Sequence, residues 1–508
     1  MQMAPSRGRQ SSAGRDFSVL GLIALSLVVL HLFTNGQYGF HRDELQTLDD
    51  ARHLAWGYVA YPPVTPFIEH VAWSLFGLSL VGLRLFSALG QGVAVVLTGW
   101  MARELGGGRL AQIVAALAAA FAPFALFQGT EFQYSSFDDL WWVLIAYLMI
   151  HLLKSENPRW WLGVGAVIGL GMMTKYAIIF FVAAIVGGVL LTPTRRDLRS
   201  PWLWCGAALS LLIFLPNLIW QIHHDFISLD FLHSIHARDI HIGRTSGFLR
   251  DQFTVSTNPL TVPLWMAGLF YFFVVPEGKR YRLIGWMFVI SFAALLIGKG
   301  RGYYLAPAHP MLFAAGSVLE ECWLSSLAAV WSRFVRGVTF SALAAAGVIS
   351  GAIILPMAPV SSPKNIAIKI NGDLREEVGW TELAHTVAGI RDSLPAEERA
   401  NLGILAGNYG EAGAIDLYGP AYGLPRAISG TNSYWLRGYD DPPPQTLIVV
   451  GLSGEIAERV FQSCRLAGHN TNPYGIKNEE STEHPDIFVC GAPRKSWPEF
   501  WLKFKSYG

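Results

Sequence analysis

Directly after the first long apolar run of the chain stands His41-Arg42-Asp43-Glu44, a stretch with the residue types to take a proton from a substrate. Charged groups beside hydrocarbon are costly and tend to mark working sites, and a positioned carboxylate can serve as a general base. The chain continues through Ala51-Arg52-His53-Leu54-Ala55-Trp56-Gly57-Tyr58 to Tyr61-Pro62-Pro63, the pattern of an ordered loop between two spans. Asp49 and Asp50 lie in the same loop. A second outer loop holds Glu131, Tyr134, Asp138 and Asp139, the last two at the mouth of a later apolar run that opens Leu140-Trp141-Trp142. Cations stand at two further breaks, Lys175 in Met173-Thr174-Lys175-Tyr176 and the pair Lys299 and Arg301 in Lys299-Gly300-Arg301-Gly302-Tyr303-Tyr304. Carboxylates on one side and fixed cations on the other suit a reaction in which a hydroxyl loses its proton while a phosphate departs. The base takes the proton and the cations stabilise the leaving phosphate. A substrate with a phosphate at the membrane surface and a tail in the bilayer is a lipid-linked sugar.

Each residue has a plainer reading. Asp138 and Asp139 could cap a helix, where its dipole favours negative charge. Lys175 could snorkel to the headgroups, and Lys299 and Arg301 could meet lipid phosphate without specificity. His223, His224, His233, His236 and His241 crowd one outer segment, but without ligand spacing for zinc they read as a solvated loop. Asp43 and Glu44 have the weakest plain reading, because a loop needing only solubility has no reason to set an acidic pair at the membrane edge.

The elements that must position these residues follow from composition. Of 508 residues, 52% are hydrophobic and 15% charged, against roughly 25% charged in soluble domains. The chain is therefore expected to be an integral membrane protein. Its net charge of +1 argues neither for nor against nucleic acid, but no basic stripe rises above the loops that orient the chain, so no nucleic-acid partner is expected. Spans are predicted near 17–34, 80–102, 110–128, 138–153, 160–174, 176–192, 202–220, 260–276, 283–298, 305–323 and 336–357, eleven in all. Residues 64–76 read as an interfacial helix. With residues 1–16 as a cytoplasmic tail, every inside break is basic: Arg103 and Arg109, Lys154 and Arg159, Arg195, Arg196 and Arg199, Lys279, Arg280 and Arg282, then Arg333 and Arg336. The run from 160 to 191 is too long for one span, about 48 Å at 1.5 Å per residue against a core of roughly 30 Å. Both of its flanks are basic, so it must be a hairpin with Lys175 at its outer tip. The outer loops are then 35–79 and 221–259, and the odd count exports the tail.

That tail, 358–508, reads as a small α/β domain. Strands are predicted at 402–406, 446–450 and 486–490, with helices near 381–393 and 454–464. The turn Gly407-Asn408-Tyr409-Gly410-Glu411 follows the first strand, where such sheets bind ligands, but it lacks a full Gly-rich fingerprint. Cys205 and Cys322 fall in apolar spans, where small buried thiols are ordinary. Cys464 and Cys490 fall in the exported tail, where a disulfide is permitted; their pairing is left open.

The loop motif resembles the first periplasmic loop of bacterial protein-O-mannosyltransferase-like and aminoarabinose-transferase-like enzymes, polytopic GT-C glycosyltransferases that use polyprenyl-phosphate sugars. Gly169-Leu170-Gly171-Met172-Met173-Thr174-Lys175-Tyr176 is similar to the family's Gly-rich span ending in Lys. The segment from Lys299 through Tyr303-Tyr304-Leu305-Ala306-Pro307-Ala308-His309-Pro310 is similar to its Lys-x-x-Tyr-Tyr-Leu-x-Pro-x-x-Pro segment. The resemblance covers about residues 17–357 and, more loosely, the C-terminal domain. It implies a GT-C transmembrane catalytic domain over 17–357 in a bacterial inner membrane, with a periplasmic α/β domain over 358–508. Asp43 matches the catalytic acidic position, with Glu44 beside it. Lys175, Lys299 and Arg301 match positions that meet the lipid phosphate, and Asp138, Asp139, Tyr303 and Tyr304 are expected to bind substrate. The implied activity is inverting hexosyl or pentosyl transfer from a polyprenyl-phosphate sugar to a hydroxyl of lipid A, a glycan or a protein. No metal ligands are assigned, and a role for a divalent cation is left open. The runner-up is a lipid-linked sugar transporter or flippase. Transporters show inverted repeats and mid-membrane polar residues, whereas here charge gathers on one face.

Overall fold

The computed structural model describes residues 9–508, with side chains from residue 17 onward. Residues 1–8 of the expected N-terminal tail lie outside the described residues, and 9–16 begin the first helix, Arg9–Thr34. Contacts divide the chain into two units. One holds residues 1–34, 84–219 and 239–355; the other holds 35–83, 220–238 and 356–508.

The first unit is helical. Among the described residues six helices are long and apolar enough to cross a bilayer: Phe17–Thr34, Leu80–Glu104, Tyr134–Ser155, Pro201–His223, Glu277–Ile297 and Ala329–Ile354. A seventh candidate is Ile178–Leu191 joined to Pro193–Arg199 at a 103° bend. The other predicted spans fall on Arg109–Ala120 with Pro123–Gln128, on Trp160–Met172, on Pro259–Phe273 and on His309–Ser326. The hairpin expected around Lys175 is a helix break, since Trp160–Met172 ends and Ile178–Leu191 begins on either side of it.

Close helix contacts in this unit use small residues, as expected where lipid offers no hydrophobic gain for association. A Cβ on Gly268 would run into the Leu312 carbonyl, and one on Gly316 into the Leu264 carbonyl, so these two glycines let Val262–Phe273 and His309–Ser326 touch backbone to backbone. Charged groups mark one end of the bundle. Lys154 pairs with Glu104 at 3.1 Å, Arg280 donates to the carbonyls of Leu153 and Lys154 at 2.7 and 2.8 Å, and Glu321 accepts from the Leu110 amide at 3.2 Å. Three of the breaks expected inside thus meet one another. The Cys205 and Cys322 thiols, expected to be buried, are exposed on their helices. A small, weakly polar thiol behaves as a small hydrophobe and is compatible with an exposed position on an apolar helix.

The second unit is built around a five-stranded sheet: β1 Leu402–Ala406, β2 Ala427–Ser429, β3 Thr446–Val450, β4 Arg465–His469 and β5 Asp486–Gly491, in the order β2-β1-β3-β5-β4. β1 runs parallel to β2 and β3, while β5 is antiparallel to β3 and β4. Three strands match the predicted ones. β2 is only three residues long, and β4 is an edge strand with mostly exposed side chains, so neither has an apolar signature. Cys464 and Cys490 are disulfide-bonded, which clips this edge to β5. The outer loop 35–79 folds onto the same unit as helices Arg42–Arg52 and Val64–Phe76. The segment read as a solvated His-rich loop contains the helix Ile227–His241, whose Ser228 hydroxyl donates to the Tyr58 carbonyl at 2.9 Å.

Candidate active site

In the first unit, three breaks of the helical bundle converge on Lys175. Lys175 is 9% exposed, so its ammonium is not extended to solvent as the snorkelling reading requires. Its Nζ lies 4.7 Å from the ring centre of Tyr304, 5.1 Å from Tyr134 and 5.4 Å from Tyr303. Ring faces attract a cation at such distances, and three of them form an aromatic cage. Tyr303 and Tyr304 meet edge to face at 4.8 Å, and Phe124 stacks on Tyr303 at 6.0 Å, which fixes the cage walls. The nearest carboxylate is Asp138, at 3.9 Å. That separation leaves the ammonium attracted but not consumed by a close pair.

Asp138 and Asp139 do not cap their helix. It begins at Tyr134 with Gln133 in the cap position, and both carboxylates sit buried in the second turn. They then part company. Asp138 faces Lys175 and accepts from the Trp142 indole at 3.1 Å. Asp139 lines a separate internal cavity with Gln91, Thr98, Ser256 and His309. Arg301 is held by Asp239, whose two oxygens accept from Nε and Nη2 at 2.5 and 2.8 Å. Lys299 is exposed at a tight turn with φ of 50°. Lys175, Asp138, Tyr303 and Tyr304 are therefore one cluster, while Arg301 is engaged beside it and Asp139 points elsewhere.

In the second unit, Asp43 and Glu44 lie in the first turn of Arg42–Arg52, and the two residues have different tasks. Glu44 is 1% exposed and accepts from the His41 amide at 2.7 Å; His41 Nδ1 accepts in return from the Asp43 amide at 3.2 Å, closing a capping box. Burial pushes the His41 imidazole below its ordinary range, which keeps the ring neutral and Nδ1 able to accept. Asp49 and Asp50, 4% and 0% exposed, are bound by Arg437 at 2.9 and 2.6 Å. Asp50 also accepts from the Tyr61 hydroxyl at 2.7 Å, and burial raises its carboxyl to about 6 despite the Arg437 charge. Of the four acidic residues of helix Arg42–Arg52, only Asp43 keeps a substantially exposed side chain, at 31%.

The C-terminal sheet supplies Asp43 with partners that no local pattern announces. Tyr409 donates its hydroxyl to Asp43 Oδ1 at 2.7 Å. Arg42 donates to Glu479 at 2.7 Å and Glu480 at 3.3 Å, with its guanidinium 5.6 Å from the Tyr409 ring centre. The turn after β1 suggested a ligand site from its sequence; in the folded chain the first outer loop occupies it. Among the described residues no group of three or more His, Cys, Asp or Glu side chains could hold a metal ion, so no residue set is assigned to a cation.

Apolar helices that carry a polar cluster at their breaks, with a small α/β unit that includes an acidic loop helix, are the architecture of a polytopic α-helical membrane protein. Residues 60–220 match the dolichyl-phosphate-mannose-protein mannosyltransferase family. The fold is similar to that of ArnT from Cupriavidus metallidurans, in the apo state (TM-score 0.55, 14% identity, 95% of this chain and 99% of that one) and bound to undecaprenyl phosphate (TM-score 0.54, 14% identity, 94% and 98%). It is also similar to the Archaeoglobus fulgidus oligosaccharyltransferase tethered to an acceptor peptide with the NVT sequon (TM-score 0.50, 13% identity, 87% and 69%). No curated protein sequence matches the chain. The chain thus shares its fold with ArnT.

Proposed function

We propose that the protein transfers a sugar from a polyprenyl-phosphate donor to an acceptor hydroxyl, with inversion at the anomeric carbon. The observation that carries this reading is the Lys175 cage, a nearly buried ammonium walled by three tyrosines, with Asp138 as its counter-ion at 3.9 Å. Such a cation favours an incoming phosphate, since charge-assisted hydrogen bonds to phosphate are among the strong ones. Lys299 adds charge at the same break, and Arg301 can meet an anion by exchanging its bond to Asp239. Asp43 takes the proton of the acceptor hydroxyl; the acceptor oxygen forms the new bond to the anomeric carbon with inversion as the bond from that carbon to the phosphate oxygen breaks. The phosphate leaves with its electron pair, stabilised by Lys175. Glu44 holds the first turn of the helix that carries Asp43. Asp138, Tyr303 and Tyr304 shape the donor site, and Asp139 contributes from the neighbouring cavity. The acceptor belongs to the cell envelope (lipid A, a glycan or a protein), and the outer loops and the C-terminal unit face the periplasm of a bacterial inner membrane.

The test is sugar transfer by the purified full chain in nanodiscs. Asp43→Asn keeps shape and hydrogen bonding but is a poor proton acceptor. Transfer should fall by about 10²–10⁴-fold while donor binding persists. Near-normal turnover in this variant, with Asp138→Asn inactive, would move the base to Asp138.

A further inference from the structure

We propose that Tyr409 is a positioning residue for Asp43, so that the C-terminal α/β unit supplies part of the catalytic apparatus. This rests on the assignment of Asp43 as the general base.

The contact is built rather than incidental. Tyr409 is 6% exposed and opens the helix Tyr409–Tyr418, whose N-cap Asn408 accepts from the Gly410 amide at 2.9 Å. Its backbone is therefore set by the turn after β1. Its hydroxyl reaches Asp43 Oδ1 at 2.7 Å, and its ring lies under the Arg42 guanidinium. Arg42 is itself anchored by Glu479 and Glu480 at the start of helix Glu479–Glu483, which a capping box from Asn478 fixes. Two neighbouring glycines make the approach possible. A Cβ at Gly410 would lie 2.6 Å from Arg42 Cγ, and one at Gly413 would lie 2.7 Å from Leu45 Cβ. A helix of larger residues could not dock at this distance.

The bond has a direct consequence for a base. A carboxylate must present one oxygen to the acceptor while the other is held. The phenol donates to Oδ1, which restrains rotation of the carboxylate. Glu44 cannot do this, because it is spent on the His41 amide. Asp49 and Asp50 are poorer candidates for the base, since Arg437 holds them at 2.9 and 2.6 Å in buried positions, whereas Arg42 Nε stands 3.8 Å from the more exposed Asp43.

The test is a double-mutant cycle on the full chain in nanodiscs, with polyprenyl-phosphate sugar as donor. Tyr409→Phe keeps the ring, its packing and the cation contact, and removes only the hydroxyl. We expect kcat to fall roughly 10- to 100-fold, the range for a lost hydrogen bond to a charged group, with the donor KM and the melting temperature unchanged. In an Asp43→Asn background the same change should have no further effect. An unchanged kcat for Tyr409→Phe beside an inactive Asp43→Asn would overturn the positioning role and leave the base assignment standing. Near-normal turnover in Asp43→Asn alone would instead overturn the base assignment. A fall in kcat that accompanies a lowered melting temperature and repeats in full in the Asp43→Asn background would mark a purely structural tyrosine.

Discussion

Replacing Lys175 with Met removes the ammonium while keeping an unbranched apolar stem of similar length. Lys175 sits 4.7–5.4 Å from three tyrosine ring centres and 3.9 Å from Asp138, at 9% exposure. A charged hydrogen bond contributes about 1.5–3 kcal/mol, and each 1.4 kcal/mol is about a factor of ten. Donor affinity should therefore weaken by roughly 10- to 100-fold. A second effect must be separated from the first. Taking the cation away leaves Asp138 buried beside the Trp142 indole, which donates to it at 3.1 Å, and breaking a tight buried pair costs about 3–5 kcal/mol of stability. At 3.9 Å the cost here is smaller, and Lys175→Met combined with Asp138→Asn removes it. The assay is binding of undecaprenyl phosphate to nanodisc-embedded protein, run beside thermal unfolding. Tyr304→Leu should weaken binding less, because a cation–π contact contributes about 0.5–2 kcal/mol. Affinity within twofold of wild type in both Lys175 variants, at unchanged stability, would refute the phosphate role.

Two further outcomes are expected. Burial and the Glu480 charge raise the Glu376 carboxyl to about 8, far above its ordinary value near 4.3. The folded chain thus binds a proton there that the unfolded chain releases, so this contribution to stability is complete below about pH 4 and is lost as pH rises through about 8. Glu376→Gln should have a melting temperature that falls less than wild type between pH 6 and 9, and a pH-independent difference would refute the assignment. A reporter fused after Gly508 should be active only in a periplasmic assay, and cytoplasmic activity would mean one span fewer or more than the eleven predicted.

How far the sequence could be read depended on whether a signal was local. The break at Lys175 was legible because a length of 32 apolar residues with one charge between basic flanks admits few solutions. β1, β3 and β5 were legible because buried central strands are runs of apolar residues. β4 was not, since an edge strand with exposed side chains reads like a loop. The same limit applied to Asp138 and Asp139, which look alike in sequence. Successive residues on a helix point about 100° apart, and here one meets Lys175 while the other lines a cavity.

By itself, then, the sequence determined the membrane class, the polar breaks between apolar runs and the candidate acid and cations, because hydropathy and charge are properties of short segments. Tertiary structure alone decided which candidates act together. It joined Lys175 to Tyr134, Tyr303 and Tyr304 across three helix breaks, and it assigned Glu44, Asp49 and Asp50 to structural bonds. It also brought Tyr409 to Asp43 over a separation of 366 residues. Nothing in the neighbourhood of either residue encodes that meeting. It arises because β1 aims the helix Tyr409–Tyr418 at the first outer loop and two glycines allow the backbones to close.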